Sequence, residues 1–415
     1  MVLFDKIVLD NGLKVIVHED TSTPLVAMNI LYDVGSRDEN PALTGLAHLF
    51  EHLMYGGSVN IPDYDLPLQQ AGGECNAFTT NDITSFYLTL PSVNIETGFW
   101  LESDRMIEPD FSQKKLDVQK NVVIEEYKQR YLNLPYGDAM LMIKPLAYKV
   151  HPYRWPTIGM DIKHIENAGL SNIKEFFFSH YAPNNAIVTL AGNIKPDRAF
   201  KLAEKWFGPI SRRYLKARIL PQEPVQTEER TFTVERNVPS TAIYKVWHIG
   251  PRNDEHYHSM DLLTDILAGG ESGRLNTKLV REKNLFTEIN AYITSDIDPG
   301  LAIVHGRLMN GVEVHEACKA LEELIDELKT KPVPNDEMEK VRNRFEASNI
   351  ISNTSILNKA MNLSLYELLG DASEINLEVE NYRNVSRQMV RDTAIRFLNQ
   401  ENSCTLCYLS NTRKQ

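Results

Sequence analysis

The chain has 415 residues, enough for two or more domains with sizeable cores. With 42% hydrophobic and 24% charged residues it has the composition of a globular protein, and no apolar run reaches the length a bilayer requires, so no membrane partner is expected. A formal net charge of −12 argues against a phosphate backbone, and therefore a nucleic acid, as the partner.

The first residues, MVLFDKIVLDNG, lack the basic stretch and long apolar run of an export leader. The reading that follows is a cytoplasmic protein, or a periplasmic one if a leader has been removed. Residues 4–34 read as strand, turn, strand, strand, with Asp10-Asn11-Gly12 as the turn. The polar loop GSRDE (35–39) then leads into GLAHLFEHLMYGG (45–57). Leu46, Leu49, Phe50, Leu53 and Met54 recur at three-and-four spacing, so this stretch is predicted as a helix that stops at Gly56-Gly57.

Inside that helix stand His48, Glu51 and His52. Positions i and i+4 share a helix face and i+3 lies beside them, so two imidazoles can address one ion with a carboxylate next to it. This is H-x-x-E-H, the inverse of the commoner H-E-x-x-H zinc motif. A catalytic zinc takes three protein ligands and keeps one position for water, whose pKa it lowers to about 7. A third ligand must therefore come from elsewhere in the chain.

Residues 71–80 (AGGECNAFTT) and the alternating run Ile83 to Leu90 follow, the glycine pair at 72 and 73 suggesting a bulge or a close backbone approach. Residues 92–133 read as helices, one of them Gln113 to Leu132. Glu125 and Glu126 lie on it as sources of the third ligand, and periodicity alone does not choose between them. His151, His164 and His180 have no partner at ligand spacing and read as surface or core residues. A helix around 165–180, a strand at 186–191 and a helix at 196–207 complete the first half, residues 1–212.

Residues 213–230 are polar and contain prolines, which reads as a linker. The second half, 231–415, repeats the first. Laying LAGG (267–270) over MYGG (54–57) puts Asp261, Thr264 and Asp265 at the positions of His48, Glu51 and His52, so the repeat lacks the metal motif. Strands are read at 301–308 and 405–409, and helices at 314–330, 335–352, onward to about 369, and near 386–399. Cys404 and Cys407 have CxxC spacing without a second such pair, and CTLCYL reads as a strand. The architecture expected is α+β, with two duplicated domains, each an antiparallel-rich sheet with helices packed on one face.

Several segments resemble the pitrilysin (insulinase) family of metallopeptidases, and in particular its half-length members similar to mitochondrial processing peptidase. They are GSRDENPALTGLAHLFEHLMYGGS (35–58), NAFTTNDITSFY (76–87), LESDRM (101–106), VVIEE (122–126), HPYRWPTIG (151–159) and YAPNNAIVTLAGN (181–193). The resemblance implies a zinc endopeptidase for peptides or unfolded segments, with zinc held by His48, His52 and Glu126 and Glu51 as the general base. Gln119 stands two turns before Glu126 where the family usually has glutamate, one negative charge fewer behind the ligands. Asn76 and Ala77 match the sheet edge on which the family binds substrate as an added strand.

In the second half Arg281 matches the arginine that holds substrate. Its usual companion tyrosine has no counterpart: Leu285-Phe286-Thr287 stand in that region, and Tyr292 is out of register. The half-length match implies a dimer that encloses substrate. It would be a homodimer, or a heterodimer with a related chain for which this one is the zinc-bearing subunit. The family also contains non-catalytic core or partner subunits, but here His48, Glu51 and His52 are all present.

Overall fold

A computed structural model describes residues 1–411. In chain order the first elements are β1 (Asp5–Val8), β2 (Lys14–Glu19), β3 (Leu25–Tyr32), α1 (Leu46–Leu53), α2 (Asp65–Gln70), β4 (Glu74–Thr79), β5 (Thr84–Pro91), α3 (Ile95–Ile107), α4 (Gln113–Tyr127), α5 (Ala139–Ala147), α6 (Ile162–Asn167), α7 (Leu170–His180), β6 (Ala186–Gly192) and α8 (Pro196–Trp206). Then come β7 (Arg230–Arg236), β8 (Ala242–His248), α9 (Tyr257–Ala268), β9 (Phe286–Ile293), β10 (Leu301–Leu308), α10 (Val314–Thr330), α11 (Asn335–Ser352), α12 (Ile356–Leu369), α13 (Glu378–Asn384), α14 (Arg387–Phe397) and β11 (Ser403–Ser410).

The chain forms two compact units. The first comprises Met1–Tyr127, Trp155–Leu220 and Asn349–Leu377, and the second Lys128–Arg154, Pro221–Ser348 and Glu378 onward. No single cut in the sequence separates them. A segment of the first half, with α5, belongs to the second unit, and a segment of the second half, with α12, belongs to the first.

The first unit holds a six-stranded sheet of order β1-β2-β6-β3-β5-β4, and the second a five-stranded sheet of order β7-β11-β8-β10-β9. Apart from β1 the two orders correspond strand for strand. Each has one parallel pair, β2 with β6 and β7 with β11, and is otherwise antiparallel. The duplicated α+β fold is therefore present in the hydrogen bonding itself.

The layering differs from the expectation of helices on one face, because helices cover both faces of each sheet. In the first unit Asn29 of β3 donates to Ser364 of α12 at 2.8 Å, while Tyr32, an odd number of residues on, faces Phe86 and Tyr181 on the other side. In the second, Ala242 and Val246 of β8 pack in a cluster with Ile143 and Ala147 of α5. Ile243 and Trp247 alternate onto the opposite face with Leu263 and Ile266 of α9. The segments that change units supply the extra layer, which hydrophobic periodicity within one half does not reveal.

Strand periodicity also disposes of the CxxC pair: Cys404 is buried and Cys407 lies three residues along the same strand, so the two face opposite sides. Among the described residues no helix is long and apolar enough to cross a membrane.

Candidate metal centre

α1 is only eight residues long, too short to hold itself in water, so its position comes from what grips it. Its apolar face buries Leu46, Leu49, Phe50 and Leu53. The Phe50 ring lies 4.3 Å from that of Tyr181 and stacks at 5.5 Å on Phe177. Gly45 precedes the helix with φ of +91°, and a Cβ there would come within 2.6 Å of the Ile158 carbonyl, so only glycine fits. With no capping side chain at Gly45, a buried glutamate side chain serves instead. Glu39 accepts from the Gly45 N–H at 2.9 Å and the Ala47 N–H at 2.8 Å. Burial pushes the Glu39 carboxyl up to about 8, outweighing the two N–H donors that pull it down.

The loop before α1 is held in turn by residues to which the sequence assigns no functional role. Ser36 and Arg37 donate their N–H groups to Thr80 and Asn81, at the tip of the β4–β5 hairpin, at 3.1 and 2.9 Å. The Arg37 guanidinium pairs with Asp82 at 2.8 Å, both side chains being buried. Trp155 Nε1 donates to the Ser36 carbonyl at 2.9 Å, and Thr44 Oγ1 lies 2.8 Å from His164 Nδ1. Arg105 of LESDRM is buried between Glu102, at 2.6 Å, and the faces of Phe86 and Tyr64. Asp104 receives Ser58, and Asn60 at 2.6 Å, from the chain leaving α1. These residues are scaffold: each fixes the helix or the strand beside it.

His48 and His52 face away from the apolar side, their ring centroids 4.8 Å apart. α4 crosses beside them, its buried edge formed by Leu116, Val123 and Tyr127. Lys120 Nζ ties α4 to the end of α6 through the Ala168 carbonyl at 3.0 Å. This brings Glu126 Oε2 to 3.3 Å from His52 Nε2 and 3.7 Å from His48 Nε2. His48, His52 and Glu126 each offer an atom within 4.8 Å of the others, and among the described residues they are the group that could hold a metal ion. Their side chains are 13, 23 and 18% exposed, open enough for a substrate to approach. Glu125 is exposed on the neighbouring face of α4, and Gln119 sits two turns before Glu126 on the same face as that ligand.

Glu51 projects beside this trio and accepts a hydrogen bond from Thr79 Oγ1 at 2.6 Å. Thr79 ends β4, the outermost strand, whose side away from β5 has no strand on it among the described residues. Asn76 is exposed on that strand and Ala77 partly buried, the Ala77 N–H donating to Asn76 Oδ1 at 2.8 Å.

Arg281 lies in the second unit, just over half exposed, paired with Glu271 at 2.6 Å. Phe286 is a core residue only 1% exposed, whereas Thr287, where the tyrosine was sought, is exposed on β9 and donates its hydroxyl to the Arg307 carbonyl at 3.2 Å; Tyr292, further along β9, is 42% exposed. At the counterpart of α1, Asp261 accepts from the Tyr382 hydroxyl at 2.5 Å and Asp265 lies 3.6 Å from Arg344 of α11. A hydrogen bond and an ion pair thus occupy the positions that correspond to His48 and His52.

Residues 14–141 match the profile described as Insulinase (Peptidase family M16), and residues 168–345 match the one described as Peptidase M16 inactive domain. Together they span most of the chain, which belongs to the M16, or insulinase, family of peptidases. It is 27% identical over 365 residues to the zinc protease PqqE of Helicobacter pylori, covering 85% of this chain and 81% of that one. The crystal structure of a protease from Helicobacter pylori superposes with a TM-score of 0.92 at 24% identity, over 98% of this chain and all of the other. Pitrilysin superposes with a TM-score of 0.76 at 17% identity, over 98% of this chain but 45% of its own.

Proposed function

We propose that the chain is a zinc endopeptidase acting on peptides or unfolded segments. The observation that carries this reading is the convergence of His48 Nε2, His52 Nε2 and a Glu126 oxygen within 4.8 Å, on a partly open face with Glu51 beside them. The donor set fits zinc: imidazole and carboxylate, three in number, which leaves one tetrahedral position for water. When bound, zinc supplies a Lewis acid for the scissile carbonyl and lowers the pKa of water to about 7.

Glu51 takes the proton of the attacking water and delivers it to the leaving amine. The free side of β4, at Asn76 and Ala77, offers backbone groups to an extended substrate, which favours unfolded chains over folded ones. Arg281 is assigned to holding substrate, its exposure and its single surface pairing leaving it available. Dialysis against a chelator should abolish cleavage of an unfolded fluorogenic peptide, and zinc should restore it. Cleavage that persists in metal-free protein contradicts the reading.

The working particle on this reading is a homodimer, since the chain corresponds to about half of pitrilysin. One observation favours a second form, a heterodimer in which this chain is the zinc-bearing subunit. The exposed Thr287 stands where the tyrosine is expected, so the chain brings no tyrosine at that position and a related partner could supply one.

A further inference from the structure

We infer that Thr79 is a positioning residue for Glu51, coupling the substrate-binding edge strand to the base. The inference rests on the reading of Glu51 as the proton carrier and goes beyond it by naming what aims the carboxylate. The Thr79 hydroxyl donates to Glu51 Oε2 at 2.6 Å, a short bond to a carboxylate. Glutamate has three rotatable bonds, and on a solvent-facing helix surface it samples several rotamers. A hydroxyl on a β-branched residue in a strand is far more constrained, because its χ1 is restricted.

The hydroxyl is also held in place by a chain of contacts. Thr79 pairs with Thr84 of β5. The next residue, Thr80, closes the hairpin by donating its N–H to the Ile83 carbonyl at 2.8 Å and accepting from the Asp82 and Ile83 N–H groups at 3.1 Å each. The same tip grips Ser36 and Arg37, and the loop that contains them ends in Glu39, which holds the start of α1. Gly35 has no room for a side chain, since a Cβ there would lie 2.4 Å from the Asn81 carbonyl oxygen. Strand and helix are thus tied at both ends of a short rigid link, and the Thr79–Glu51 bond closes the loop. Thr79 shares its strand face with Ala77, so a peptide added along β4 would lie against the strand that orients the base.

The test uses the full-length zinc-loaded protein and an unfolded fluorogenic peptide. Thr79→Val keeps the shape and the β-branch and removes the donor; Thr79→Ser restores it. Thr79→Val should keep its metal and its KM within about twofold while kcat falls about tenfold to a hundredfold, the range expected when a reacting group is misaimed. Thr79→Ser should recover to within about threefold. Adding Thr79→Val to Glu51→Gln should cause no further loss, because the two act as a unit. Wild-type kcat in Thr79→Val beside an inactive Glu51→Gln overturns the inference and leaves the role of Glu51 standing. Equal losses in the Val and Ser variants, or metal lost from Thr79→Val, also overturn it, since the residue would then be structural. A fully active Glu51→Gln overturns the inference together with the reading beneath it.

Discussion

Glu125 and Glu126 are chemically identical neighbours with opposite surroundings. Glu126 reaches 3.3 Å from His52 Nε2, whereas Glu125 lies on the exposed side of α4. Glu126→Gln should therefore lose most of its zinc on dialysis against a weak competitor, and Glu125→Gln should retain it, as read by metal analysis of the purified variants. Equal retention would remove Glu126 from the ligand set. The histidine pair was legible in the sequence because helix spacing alone puts both on one face. The choice of Glu126 was legible only through family register, since both glutamates satisfy the periodicity of α4. Thr79 was not legible at all: its partner is 28 residues away, and a threonine in a strand signals nothing but β-propensity.

At the scale of the element, α1 depends on a buried glutamate that is not part of it. Glu39 caps the helix from a buried position, and its carboxyl is raised from an ordinary 4.5 to about 8. The folded state therefore binds this proton more tightly than the unfolded one. The Glu39 contribution is fully present below about pH 4.5 and is lost as pH rises toward about 8. The difference in thermal midpoint between the wild type and Glu39→Gln should shrink steadily across that window. A difference independent of pH would show that Glu39 does not titrate there.

Val314–Thr330, with its clean helical period, and Asn335–Ser352 were legible to the residue. β9 was not: the register between β9 and β10 shifts at Arg307/Leu308, which disturbs the alternation that marks a strand. Nor was the destination of α5 and α12, because an apolar helix face states that it is buried but not against which sheet.

For the whole molecule, the repeated strand order is the record of a duplication in which one copy carries the candidate metal trio. The other replaced it with Asp261–Tyr382 and Asp265–Arg344 contacts. That loss was legible from the superposition of LAGG on MYGG, and the contacts that replaced it were not. On the proposed reading, in which each chain brings one zinc-bearing half, sedimentation of the pure protein should give a dimer that carries the peptidase activity. A monomer with full activity would overturn the shared-particle proposal, and an inactive dimer rescued by a related chain would favour the heterodimer.

The central claim is that Glu51 works as the proton carrier beside a zinc held by His48, His52 and Glu126. Its most direct test is the turnover of an unfolded peptide by zinc-loaded wild type and zinc-loaded Glu51→Gln, with metal content measured on the same samples. The amide keeps the shape of the side chain but cannot take the proton. The account expects equal zinc and a loss of about 10² to 10⁴ in kcat. Near-normal turnover in Glu51→Gln at equal zinc would contradict it.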